Sequence, residues 1–259
     1  MINITHGQLD LWIAQVFWPF VRIGSCFMVA PAFGATFVPP RVRLVIAGGV
    51  ALIIAPLIPQ PADVVPFSAA GMLITVQQVV IGIALGFCMQ AVFDAVTLGG
   101  QLLSNSMGLS FAYNMDPMHG AQTPVLGQFY TLTVTMTFLA FNGHLKLIEI
   151  LVDGFRTLPI GTTGLGSEGL WTVVLWGSTL FSGALSIALP GVTALLIVNL
   201  AFGVMSRAAP QLNLFAVGLP VSLVFGLVIM WVGLPAVQTG FIALVQQALG
   251  LVHSLLGGS

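Results

Sequence analysis

The sequence predicts an all-α fold of integral membrane type, with about six long, partly broken hydrophobic helices. Three observations carry that prediction. Charged residues make up 5% of the 259 positions and hydrophobic residues 58%, whereas a soluble domain carries about 25% charged residues to cover its surface. Most of this surface must therefore face lipid or other protein. Apolar stretches of about 20 residues recur along the chain, and lipid offers no water to satisfy peptide groups, so such stretches must be helices. Proline punctuates the connectors between them, because it lacks the N–H that a continuing helix needs.

The first helix is expected over Leu11–Phe33. No Lys or Arg stands in Met1–Asp10, so the positive leading region of a cleaved signal peptide is missing and the segment is expected to remain in the mature chain. The second, Val42–Leu57, lies between Val38-Pro39-Pro40 and Ile58-Pro59-Gln60-Pro61. The third, Ala69–Val96, carries Gly82 and Gly86, a spacing that lets helix backbones approach closely; packing within the chain and assembly with other helical subunits both use it. The fourth, Phe129–Val152, precedes the connector Leu158-Pro159-Ile160-Gly161. The fifth, Leu170–Met205, contains Pro190, and the sixth, Leu214–Leu249, contains Pro220 and Pro235. Proline inside an apolar helix frees a carbonyl and bends the helix, so these two are expected to be kinked or broken. Both exceed the length a bilayer needs, which implies tilt, breaks or projection beyond the lipid.

Orientation follows from the cations. Arg41 and Arg43 lie in the first connector and Arg207 in the fifth, and short loops bearing Lys and Arg stay cytoplasmic. Those connectors are expected in the cytoplasm and both termini outside. Lys146 and Arg156 oppose this placement, although Glu149 and Asp153 share their amphipathic stretch.

Several classes of function lose their chemistry here. A net charge of −1 without any Lys/Arg run excludes the basic footprint that nucleic acid demands. Cys26 and Cys88 both sit in apolar runs, where a thiol behaves as a small hydrophobe, and two cysteines specify neither a disulfide framework nor a metal site. No phosphate-binding glycine loop occurs, so nucleotide energy has no visible point of entry. An intramembrane protease needs a metal pair, an aspartate pair or a serine with an oriented base. Asp94 and Asp153 stand in different segments, and Ser178 or Ser182 has only the distant His253. No catalytic, cofactor or metal residue is therefore assigned, and the chain is read as not an enzyme.

Arg22 and Asp94 are the ionisable residues most nearly central in their helices. Such groups are costly in lipid unless paired or placed in a wet interior, so each is either a functional group or a hydrogen-bonded register pin between helices.

The stretch from Gly108 to Pro124 differs from every other connector. At roughly 20 residues without periodicity it exceeds the usual connector length, and Met107, Phe111, Tyr113, Met115 and Met118 are too apolar for a disordered tail. At membrane depth, irregular backbone persists only where protein buries it or where it lines a cavity. Flexible methionines deform around a variable object and an aromatic ring fills a constriction, which suits a plug or pore lining; packing into the chain's own core is the alternative use.

Gly108-Leu109-Ser110-Phe111-Ala112, followed by Asp116-Pro117 and Pro124-Val125-Leu126, then Phe141-Asn142-Gly143-His144 and Leu158-Pro159-Ile160-Gly161, resembles the FliR family of flagellar export-gate proteins. Pro31-Ala32-Phe33-Gly34 with Pro39-Pro40-Arg41-Val42-Arg43, and Arg207-Ala208-Ala209-Pro210-Gln211-Leu212-Asn213-Leu214-Phe215 with Gly218-Leu219-Pro220, extend the resemblance over nearly the whole chain. The late motif is also similar to virulence type III secretion relatives, whereas the Asn-Gly-His element favours the flagellar branch.

The resemblance implies one copy of this chain assembled with FliP and FliQ into a helical export gate of the flagellar basal body at the bacterial inner membrane, with FlhB and FlhA as further partners and unfolded flagellar proteins as cargo. It implies a FliP-like portion over 1–163, including a plug loop at 106–123, and a FliQ-like hairpin over 164–259. Carried over by position, Met107, Phe111, Tyr113, Met115 and Met118 belong to the plug, Phe111 foremost, beneath a methionine ring supplied mainly by FliP. Arg207, Pro210, Asn213 and Phe215 match the cytoplasmic turn of the hairpin, near FlhB. The resemblance implies no cofactor.

Two other classes compete. A small-solute secondary transporter predicts an inverted repeat and a midplane polar cluster, and no convincing repeat is present. An intramembrane hydrolase predicts a nucleophile with an oriented base.

Overall fold

The computed structural model describes residues 6–31, 38–59, 64–66, 68–109, 125–208 and 214–257. Among them there are helices and turns but no strand. Among the described residues five helical spans are long and apolar enough to cross a membrane, or up to six if one bent pair counts as a single span.

Helix α1 covers His6–Val29, with Pro19 inside it. Helix α2, Pro40–Ile54, opens on proline at its first position, where the missing N–H would lack an intrahelical partner anyway, and tightens into a 3-10 turn at Ala55–Leu57. Helix α3 runs from Ala69 to Ser106. Ser68 caps it by accepting from the Gly71 N–H at 3.1 Å, the bond expected of an N-cap serine. The sequence places the end of this helix at Val96; it continues because Gly99 and Gly100 pack against neighbours instead of turning the chain. A β-carbon on Gly99 would stand 3.2 Å from the Ala184 carbonyl, and one on Gly100 would overlap the Tyr130 ring.

The single helix expected over Phe129–Val152 is instead α4, Val125–Ala140, and α5, Gly143–Thr157. They break at Phe141-Asn142, where Asn142 is left-handed at φ 59°, a conformation that asparagine tolerates better than most side chains. The next span, Ser167–Met205, is interrupted at Gly177 and not at Pro190, giving α6, Ser167–Trp176, and α7, Ser178–Ala208. Helix α8, Leu214–Gly257, continues through both Pro220 and Pro235.

The helices pack as two units that divide them across their length. The first comprises the described residues of Met1–Ala91, Leu139–Gly177 and Val245–Ser259, and the second those of Val92–Phe138 and Ser178–Leu244.

In the first unit α1 and α3 approach at Gly82 and Gly86. A β-carbon on Gly82 would overlap the Arg22 carbonyl and the Ser25 hydroxyl, and one on Gly86 would stand 2.8 Å from the Cys26 carbonyl. Both glycines thus serve packing inside this chain. Trp18, fully buried, donates its indole N–H to Thr75 at 3.2 Å, and Trp176 donates to the Cys88 carbonyl at 2.9 Å.

In the second unit Phe93 stands edge-on to Phe138 and Phe241, with ring centroids 5.3 Å and 5.1 Å away, the arrangement aromatic quadrupoles favour. Gly99, Leu103, Tyr130, Pro190 and Gly191 are among the residues that line a mainly apolar cavity of about 410 Å³.

Candidate functional site

Arg22 has no exposed surface. Its Nε donates to the Gln78 Oε1 at 2.6 Å, Nη1 to the Gly154 carbonyl at 3.3 Å and Nη2 to the Leu158 carbonyl at 3.0 Å. The guanidinium also lies 4.2 Å from the centroid of the Phe155 ring. Gly154 and Leu158 mark the end of α5, where the helix dipole is negative; the Gly154 carbonyl also accepts from the Leu158 N–H at 2.9 Å, while the Leu158 carbonyl lies past the last turn. A fixed cation there satisfies both, and the aromatic face adds further attraction. Arg22 therefore ties α1, α3 and the end of α5 together, immediately ahead of the Pro159-Ile160-Gly161 connector. Gln78 is the partner that sequence reasoning missed; the amide pair Gln77-Gln78 inside an apolar run was its only signal.

Asp94 lies half-buried on α3 in the second unit, while Arg22 belongs to the first. Among the described residues no three of His, Cys, Asp and Glu stand close enough to hold a metal ion.

Helix α3 ends where the long connector begins, and the reason is local. Gly108 adopts φ 79°, donates to the Asn105 carbonyl at 3.0 Å, and is followed by Leu109 donating to the Ser104 carbonyl at 3.2 Å. This double closure around a left-handed glycine is the Schellman ending, which only a residue without a β-carbon adopts freely. Met107, in the turn, is 1% exposed and belongs to the packed end of the helix. Phe111, Tyr113, Met115 and Met118 lie outside the described residues, as do Pro210 and Asn213. Arg207 is exposed in the last turn of α7, where a cation complements the helix dipole, and Phe215 falls in the first turn of α8.

Long apolar helices, close glycine contacts and a buried cation bonded to helix-end carbonyls define the class: a helical membrane protein with several spans. The family described as bacterial export proteins, family 1, matches residues 13–248, and the chain belongs to that family. It is 41% identical to the flagellar biosynthetic protein FliR of Escherichia coli (strain K12) over 237 residues, which span 92% of this chain and 90% of the relative. It is 36% identical to FliR of Pectobacterium carotovorum subsp. carotovorum over 256 residues, spanning 99% of this chain and 98% of that one. FliR of Bacillus subtilis (strain 168) is 29% identical over 214 residues, 82% of each chain. The resemblance read from the motifs therefore holds across the chain.

Proposed function

We propose that this chain is a subunit of the flagellar type III export gate, contributing part of a channel wall and the plug that closes it to ions between passages of unfolded flagellar proteins. What supports the reading is family membership, together with FliR relatives aligned over almost the full length. What carries the plug assignment is the sequence from Gly108 to Pro124, aperiodic and rich in methionine and aromatic residues, which follows a glycine-terminated helix end at Gly108 and precedes α4 at Val125.

The proposed partners are FliP and FliQ in the gate, with FlhB and FlhA at its cytoplasmic side, in the bacterial inner membrane at the flagellar basal body. Large apolar side chains left exposed on α6 to α8, among them Trp171 at 63%, Ile197 at 65% and Trp231 at 76%, need lipid or further helices to cover them. The division into a FliP-like portion, 1–163, and a FliQ-like hairpin, 164–259, is supported by the two long spans that the latter contains, Ser167–Met205 and Gly218–Gly257.

The test is a conductance recording on the assembled complex of this chain with FliP and FliQ in a planar bilayer. Deleting residues 110–122 is expected to raise the resting ion leak, and Phe111→Ala to raise it more than any single methionine substitution in the segment. An unchanged leak on deletion sinks the plug assignment, and failure of the chain to copurify with FliP and FliQ sinks the gate itself.

A further inference from the structure

The last four carbonyls of a helix have no partner within it, and in α3 each can be followed to its donor. The Leu103 carbonyl accepts from the Met107 N–H at 3.1 Å, and those of Ser104 and Asn105 are closed by the Schellman turn. The fourth, on Ser106, accepts from the side-chain amide of Asn199 on α7 at 3.2 Å. Asn199 is in turn held by Ser222 on α8, whose hydroxyl donates to the Asn199 Oδ1 at 2.8 Å. That bond leaves the Asn199 amide hydrogens facing the helix end.

Packing repeats the pattern. Leu103 and Met107, one helical turn apart, project from the same face of α3 and are 4% and 1% exposed. Leu103 abuts Gly191 of α7, where a β-carbon would stand 2.8 Å from its Cδ1. Met107 lies across Gly226 of α8, where a β-carbon would overlap its Cγ. Ser222 and Gly226 are themselves one turn apart, so a single face of α8 supplies both a hydrogen bond and a seat.

We infer that Asn199 and Ser222, with the seat at Gly226, are positioning residues that clamp the end of α3 and fix the direction in which the chain leaves it toward the proposed plug. In function this rests on the plug assignment, whereas the clamp itself is a statement about α3, α7 and α8. Its bonds are neutral and its seats are glycines, so it holds without the depth of a buried charge.

The test uses the full chain in the assembled complex. In a Met107→Cys background the introduced thiol reports on the seat, because the natural Cys26 and Cys88 are both fully buried. Adding Asn199→Ala or Ser222→Ala is expected to raise maleimide labelling of that thiol about threefold, the factor a neutral hydrogen bond between membrane helices is worth. With Met107 intact, Gly226→Ala is expected to raise the resting leak about tenfold, as overpacking of a filled seat does, and Gly226→Ala with Met107→Ala to restore closure by vacating it. Unchanged labelling in both polar variants, or a double variant as leaky as Gly226→Ala alone, overturns the clamp. If deletion of 110–122 leaves the leak unchanged while labelling rises, the plug assignment fails and the clamp stands.

Discussion

Arg22 in the first unit and Asn199 in the second each satisfy the carbonyls at a helix end from a neighbouring helix, with different chemistry. The guanidinium is fully buried, reaches three acceptors and stacks on Phe155. Asn199 lies on an exposed side of α7, donates one neutral bond and depends on Ser222 for its orientation. Charge-assisted bonds are roughly twice as strong as neutral ones, and withdrawing the guanidinium strands the Gln78 oxygen and the Leu158 carbonyl. The end of α5 is thereby made permanent, whereas the end of α3 is held by contacts weak enough to be exchanged. The two helix ends are held by different bond types, although both anchors look alike as polar residues in apolar helices.

The largest expected effect comes from breaking the permanent side. Arg22→Met keeps the volume and removes the donors, leaving the Gln78 oxygen and the Leu158 carbonyl unsatisfied in the interior at about 1–3 kcal/mol each. The Gly154 carbonyl keeps the Leu158 N–H at 2.9 Å and adds less. Relief from burying a charge works in the opposite direction, so the comparison is decided by measurement: a lower apparent unfolding temperature in detergent and less assembled complex are expected. Arg22→Lys should fall between, since an ammonium keeps the charge but not the planar fork. A stability equal to wild type for Arg22→Met would remove the contrast with Asn199.

A smaller effect is expected where α1 and α3 touch. Alanine at Gly82 drives a β-carbon into the Arg22 carbonyl, and backbone cannot swing aside as a side chain does. The helices must separate, which costs about 1–3 kcal/mol as overpacking and pulls Arg22 off its acceptors. Gly49, whose β-carbon would meet nothing within 4 Å, supplies the control: Gly49→Ala should leave the unfolding temperature at or slightly above that of wild type, because alanine is the better helix former. Equal losses at the two glycines would show that approach distance is not what Gly82 provides.

Apolar length and proline were enough to place α2 between Pro39-Pro40 and Pro59, and to set the count of spans, because both act through the local backbone. The break at Asn142 has a local signal, the turn dipeptide Asn142-Gly143 at the head of the polar stretch His144 to Arg156, which an argument from apolar length passes over. The continuation of α3 through Gly99-Gly100 was not legible, since it depends on which helices lie opposite. Gly108 was visible as the start of a long connector, but the bonds that make it a helix terminus belong to geometry. The roles of Gln78, Asn199 and Ser222 are fixed by partners 56, 93 and 23 residues away, and no window along the chain contains them. Asn199 stands in the run Val198 to Gly203, whose apolar character could have flagged its amide as a group in need of an acceptor.

The smallest expected effect calibrates the neutral anchor. Thr97 on α3 and Thr131 on α4 have their hydroxyl oxygens 2.7 Å apart, yet each also reaches a carbonyl of its own helix, on Phe93 at 2.9 Å and Gly127 at 2.8 Å. Only one of the two hydroxyls can donate across the gap, because each carries a single hydrogen. Replacing Thr97 by Val leaves the Thr131 hydroxyl free to donate to Gly127, so no polar group is stranded. The loss should stay near the value of about 0.6 kcal/mol typical of polar contacts between membrane helices. The same measurement on Asn199→Ala should give a larger loss than Thr97→Val, because the Ser106 carbonyl at the helix end has no such fallback within its helix. Equal losses would mean that the Asn199 bond is surface decoration and that α3 is held by its glycine seats alone.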